Sequence, residues 1–177
     1  MTQGSTEGRG WGTPRSQHGG VDEVPLPGVT GRLWLAGKHF VGPDPDAALA
    51  EVGADVLVCL NEAPELADRY PHYVHWLGTN AGGRAVWQPV PDLHAPPLEE
   101  AVALLDDLAA MVRDGRGVLV HCGAGIGRAG TIAAGLLMVL GTPMADALAT
   151  VAGHRPMAGP EAGVQSELLE ALAGLRP

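Results

Sequence analysis

Apolar residues fall along this chain in two rhythms: short unbroken runs, and longer stretches that repeat every three to four positions. The runs predict strands covered on both faces, and the stretches predict amphipathic helices. Leu33 and Leu35 flanking Trp34 predict an early strand, and "ADVLVCLNE" predicts a buried one, since Val56, Leu57, Val58 and Leu60 leave no polar face. Between them "PDPDAALAEVG" reads as a short helix, with Asp46 near its start and Gly53 as its stop. "YVHWLG" and "AVWQPV" are two further strand candidates, separated by the glycine-rich "TNAGG". The clearest helix runs from Leu98 to Arg113, where Leu98, Ala101, Val102, Leu105, Leu108, Ala109 and Val112 share one stripe. Gly115 closes it in the position after the C-cap.

A strand "GVLVH" follows, then a glycine loop, then an apolar helix from about Arg128 to Leu140. Thr142 is placed to cap the next helix with Pro143 at its first position, and "EAGVQSELLEALAGL" supplies a last amphipathic helix. Strands alternating with helices give an α/β fold: a single domain with a central, mostly parallel sheet flanked by helices. Residues 1–22 are Gly/Ser/Thr/Arg-rich and aperiodic, which predicts a disordered N-terminal tail ahead of a domain at 23–177.

Composition narrows the chemistry. A chain of 177 residues, 46% of them apolar, is long enough to bury a core. The net charge of −9 argues against nucleic-acid binding and against docking on an anionic membrane. Any anionic substrate must therefore be drawn by a local pocket. Two cysteines, at 59 and 122, and scattered histidines make neither a disulfide framework nor a metal site, so no metal and no cofactor are expected. With no signal-like N-terminus, and with "TIAAGLLMVL" too short to span a bilayer, a cytoplasmic setting is expected.

The sequence "HCGAGIGRAGT", His121 to Thr131, concentrates the reactive groups. In an open α/β sheet, ligands bind beyond the carboxyl ends of the strands, where this loop lies. Gly123, Ala124, Gly125, Ile126 and Gly127 give enough chain to curl once, with backbone N–H groups turned inward as an anion nest. The following helix adds positive potential at the same point. Arg128 can bind two oxygens with its planar fork. These groups act on Cys122 as well, because helix N-termini and cations lower a thiol pKa from about 8.5 into the range of roughly 3.5–7.5. A thiolate beneath a bound tetrahedral anion suits in-line attack on phosphorus.

The loop resembles the H-C-x5-R signature of the protein tyrosine phosphatase superfamily in its dual-specificity form, H-C-x-A-G-x-G-R-[ST]-G-T, at every fixed position but one. The resemblance extends from about Leu33 to the last helix and points to an atypical dual-specificity phosphatase. It implies hydrolysis of phosphotyrosine, with phosphoserine and phosphothreonine of proteins as further substrates, through a phosphocysteine. It also implies a general acid on a loop about thirty residues before the cysteine. Asp92 in "WQPVPDLHAPPLEE" fits that place, with Pro89 and Pro96 matching P-x-x-D-x-x-x-P. Relatives place a Gln near the start of the last helix to position water, which points to Gln165, although the Arg155-to-Gln165 spacing is one residue long. Some pair the catalytic thiol reversibly with a neighbouring cysteine, for which Cys59 stands on an adjacent strand. His94 can contact substrate, and His121 orients the loop by hydrogen bonding. The departure is Ala129, where most relatives carry a hydroxyl that stabilises the departing thiolate, so slow phosphoenzyme breakdown is expected.

Three other readings stay open at this level. One is a catalytically weak phosphate-binding module, another a phosphatase acting on an inositide or nucleotide, and the third rhodanese-type sulfur transfer. The absence of lysine within the loop disfavours inositides, and the "AGxGR-x-GT" match disfavours sulfur transfer.

Overall fold

The computed structural model describes residues 14–176. Its sheet has five strands in the order β1-β2-β5-β3-β4, formed by β1 (Val21–Val24), β2 (Arg32–Gly37), β3 (Val56–Cys59), β4 (Ala85–Trp87) and β5 (Gly117–Cys122). All neighbours run parallel except β1, which pairs antiparallel with β2. Both faces are covered, and for that reason the central strands carry so few polar residues. Leu33, Leu35, Val56, Val58, Val118 and Val120 point to one face, and Trp34, Ala36, Leu57, Cys59 and Leu119 to the other. The first face receives α6 (Leu98–Arg113), α7 (Gly127–Val139), α8 (Met144–His154) and α9 (Gly163–Leu175). The second receives α2 (Lys38–Val41), α3 (Pro45–Val52), α4 (Pro64–Ala67) and α5 (Pro71–Asn80). The expected α/β fold with a mostly parallel sheet is therefore the observed one.

Helix α6 has the limits its periodicity predicts, and its buried residues include Ala101, Leu105, Leu108, Ala109 and Val112. Gly53 ends α3 in the left-handed conformation with φ 75°, while the cap at its start is Asp44, whose Oδ1 accepts from the Ala47 amide. Two expectations fail. "YVHWLG" is not a strand but part of α5, which starts with Pro71 at its first turn and buries Tyr73 and Leu77, four apart. Thr142 does not cap α8, whose N-cap is Pro143 with no side-chain bond.

The N-terminal region also differs from its expectation. The first thirteen residues of the expected tail lie outside the described residues, but Pro14–His18 form a short helix, α1, and β1 begins at Val21. The segment is fastened: Asp22 accepts from Arg15 and from the buried Arg155, at 2.5 and 2.7 Å. No polarity pattern marks so short an edge strand, which pairs on one side only.

Candidate active site

Strand β5 delivers His121 and Cys122 to the carboxyl edge of the sheet, and α7 begins five residues later. The turn between them is fixed through its carbonyls. The Gly123 carbonyl accepts from the Lys38 amide (2.9 Å), that of Ala124 from Arg155 Nη2 (2.8 Å), that of Gly125 from Arg155 Nε (2.8 Å), and that of Ile126 from the Gly159 amide (3.1 Å). A trans peptide sets its N–H opposite its C=O. With four successive carbonyls drawn outward, the amides of Ala124, Gly125, Ile126 and Gly127 turn inward, towards the space above Cys122. That space is a cleft of about 750 Å³ lined by Cys122, Gly123, Ala124, Ile126, Gly127 and Arg128. The N-terminus of α7 adds its positive end there.

Arg128 is buried in the first turn of α7. Its Nη1 and Nη2 each donate to one Glu65 oxygen at 2.8 Å, and Nη1 also donates to the Val90 carbonyl at 2.8 Å. Burial works against both charges. For Glu65 it is outweighed by hydrogen bonds from Arg128 and the Glu62 amide, which hold the carboxyl below its usual range. For Arg128 it is outweighed by the Glu65 bond and by the Cys122, Glu65 and Asp92 charges, which push its pKa up. Asn61, also buried, donates to Glu65 Oε1 at 3.0 Å. Glu65 is the site residue that sequence reasoning missed. Glu65, in "NEAPEL", lies 63 residues before Arg128, and only the pairing of β3 with β5 brings the two together.

Asp92 stands on the loop between β4 and α6, exposed, with Oδ1 3.4 Å from Arg128 Nη2. It lines the same cleft as Cys122. Leu93, next to it, is held at φ 62° and half exposed at the cleft's edge. His94 turns Nδ1 onto the Asp92 carbonyl at 2.7 Å and is not among the residues lining the cleft. Gln165 is fully buried with both ends of its amide engaged: Oε1 accepts from the Glu161 amide at 2.7 Å and Nε2 donates to the His94 carbonyl at 3.0 Å. In this state it ties the Asp92 loop to α9.

His121 is buried, and desolvation holds its pKa down, to about 4, so the ring is neutral. Nδ1 faces the Cys122 carbonyl at 3.2 Å, which can only accept, and so Nδ1 carries the proton and Nε2 accepts from the Tyr73 hydroxyl. The ring therefore braces the loop from behind. Cys59 is not brought to Cys122. It sits in register with His121 on the face holding Tyr73, while Cys122 packs in the cluster on the other face. Burial raises the Cys59 thiol to about 12, the signature of an inert core cysteine. A bond between them requires the loop to rearrange. Ala129 is fully buried in the apolar cluster that includes Cys122, and the nearby Thr131 hydroxyl is spent on the Gly127 carbonyl at 2.6 Å.

This geometry is matched by known proteins. A family model described as PTP-SAK, Swiss Army Knife protein, DSP-PTPase phosphatase domain, covers residues 41–168, a span that includes Asp92, the signature loop and Gln165. The chain belongs to this family. The DSP-PTPase domain is similar to Tk-PTP in its active form, with 28% identity over 86% of this chain and 96% of that one and a TM-score of 0.64. Kinase associated phosphatase shares the fold at 18% identity, with 88% and 94% of the two chains covered and a TM-score of 0.72. Human DUSP28 does so at 22% identity, with 86% and 93% covered and a TM-score of 0.63. No curated protein matches the sequence. The domain is thus a phosphatase domain of the protein tyrosine and dual-specificity type, and no helix among the described residues is long and apolar enough to cross a membrane.

Proposed function

We propose that this protein hydrolyses phosphomonoesters, phosphotyrosine of proteins foremost and phosphoserine and phosphothreonine with it, through a phosphocysteine at Cys122. The observation that carries the reading is the convergence of the inward amides, the clamped Arg128 and Asp92 around one thiol. In the first step the Cys122 thiolate forms a bond to phosphorus while the ester P–O bond breaks. Asp92, as the carboxylic acid, gives its proton to the leaving oxygen. The inward amides and the Arg128 fork hold the three equatorial oxygens as charge shifts onto them. In the second step water attacks phosphorus, Asp92 takes its proton, and the P–S bond breaks to return the thiolate. Gln165 is fully buried with one Nε2 hydrogen on the His94 carbonyl, so its contact with that water requires the Asp92 loop to shift.

The test is p-nitrophenyl phosphate hydrolysis, quenched in acid and followed by peptide mass analysis. A phosphate adduct on the Cys122 peptide and rates unchanged by EDTA are expected. Activity with no adduct, or activity that the chelator removes, overturns the mechanism. Asp92→Asn is expected to lower kcat/KM, which reports the first step, about a hundredfold on phenyl phosphate and less on p-nitrophenyl phosphate, whose leaving group needs less help. Equal losses in kcat/KM on both esters would assign Asp92 to binding rather than to protonation of the leaving group.

A further inference from the structure

The chain has a single lysine, Lys38, and it lines the active cleft. Its backbone position is set by the cradle itself, since its amide donates to the Gly123 carbonyl. The other cations along the cleft are all compensated. Arg128 holds Glu65 and Asp92, and Arg15 and Arg155 share Asp22. Lys38 has no carboxylate within ion-pair distance among the described residues, and its Nζ donates to the Glu65 carbonyl at 3.2 Å. An ammonium carries three donors, so two remain for a ligand. The neighbouring wall is formed by His18 and His39. Burial, and then the charges of Arg69 and Lys38, lower the pKa of His39. In a chain of net charge −9, an uncompensated ammonium beside an anion cradle concentrates positive potential at one place.

We infer that Lys38 forms a second anion subsite, and that the preferred substrate is a phosphomonoester carrying another anionic group, a phosphate or a carboxylate, beside the phosphate being removed. This deepens the phosphatase reading and rests on it. A second group on a small molecule and an acidic residue beside a phosphorylated side chain present the same chemistry to Lys38.

The experiment compares 3- and 4-carboxyphenyl phosphate with their carbamoylphenyl counterparts, which match in shape but lack the charge. The wild-type protein is expected to favour at least one carboxylate by about tenfold in kcat/KM, the scale of one charge-assisted hydrogen bond. Lys38→Met abolishes that preference, leaves the carbamoyl esters within about twofold, and Lys38→Arg restores part of it. Because there is one lysine, acetylation of the folded wild-type protein, followed by hydroxylamine to free the Cys122 thiol, must reproduce Lys38→Met, which covers a variant that fails to fold. A wild-type protein that hydrolyses all four esters without preference overturns the subsite, as does a preference that survives both treatments. Failure to hydrolyse any ester is a different result, since it removes the Cys122 mechanism before Lys38 is touched. Phosphotyrosine peptides with Glu or Gln as the next residue separate the two sources. A Lys38-dependent preference for Glu assigns the anion to a protein chain, and preference in the aryl pair alone assigns it to a small molecule.

Discussion

Arg128→Lys lowers kcat/KM for p-nitrophenyl phosphate by about a thousandfold, the scale set by removing preorganised donors to transition-state charge. The reason lies in what the guanidinium does at once. It is buried, gives Nη1 and Nη2 to Glu65 and Nη1 also to the Val90 carbonyl, and keeps Nε and the second Nη2 hydrogen for a substrate in the cleft. A lysine keeps the charge but offers a single nitrogen that cannot serve two carboxylate oxygens, a carbonyl and a substrate oxygen together. Glu65 then competes with the substrate for the one ammonium. The loss is expected in kcat as well as in KM, because the fork grips the equatorial oxygens most strongly when they carry transition-state charge. Steady-state kinetics beside a thermal melt checks this. A loss below tenfold in a folded variant would show that the loop amides alone hold the phosphoryl group.

Gly125→Ala is expected to cost about 3 kcal/mol of stability and at least a hundredfold in turnover. Gly125 has φ 73°, where an added Cβ would lie 2.4 Å from the Ala36 carbonyl oxygen and 2.5 Å from its carbon. Both are backbone of β2, so nothing flexible can give way. Relief comes only by lifting the loop, which withdraws the Gly125 carbonyl from Arg155 and tilts the inward amides. Gly53→Ala supplies the control. Its φ is nearly the same at 75°, yet nothing lies within 4 Å of an added Cβ, so strain of about 1 kcal/mol is expected without loss of turnover. Chemical denaturation of both variants separates the clash from the strain. Equal stability losses would refute the role given to Ala36.

The site was legible where its groups are close in sequence and opaque where they are not. Cys122, the loop glycines and Arg128 form one continuous stretch whose chemistry constrains spacing, so a reader of the sequence can name them. The proline-flanked Asp92 could be found because one turn presents it. Glu65 could not, since a glutamate in an exposed-looking "APEL" differs from any surface glutamate only after β3 is laid beside β5. Lys38 carried a signal, its solitude, that gained meaning only when the cleft placed it. The strand reading of "YVHWLG" failed because Tyr73, Val74 and Trp76 are residue types that favour strands, while burial on one face decided for the helix. The helical evidence there was Pro71 and the apolar spacing of Tyr73, Val74, Trp76 and Leu77. Cys59 and Cys122 looked like neighbours on adjacent strands, but one residue of register sends their side chains to opposite faces.

The clasp between Arg155 and Asp22 bears on how this chain matures. The two residues lie 133 positions apart, and Arg155 also holds the Ala124 and Gly125 carbonyls that orient the amides above Cys122. During synthesis the thiol and its glycine turn leave the ribosome before the arginine that shapes them. The edge strand, made first, must wait for a partner made near the end. A nascent chain therefore carries an unarmed cysteine while the 33 residues from Cys122 to Arg155 are added, and reactivity arrives only when the first and last parts of the domain meet.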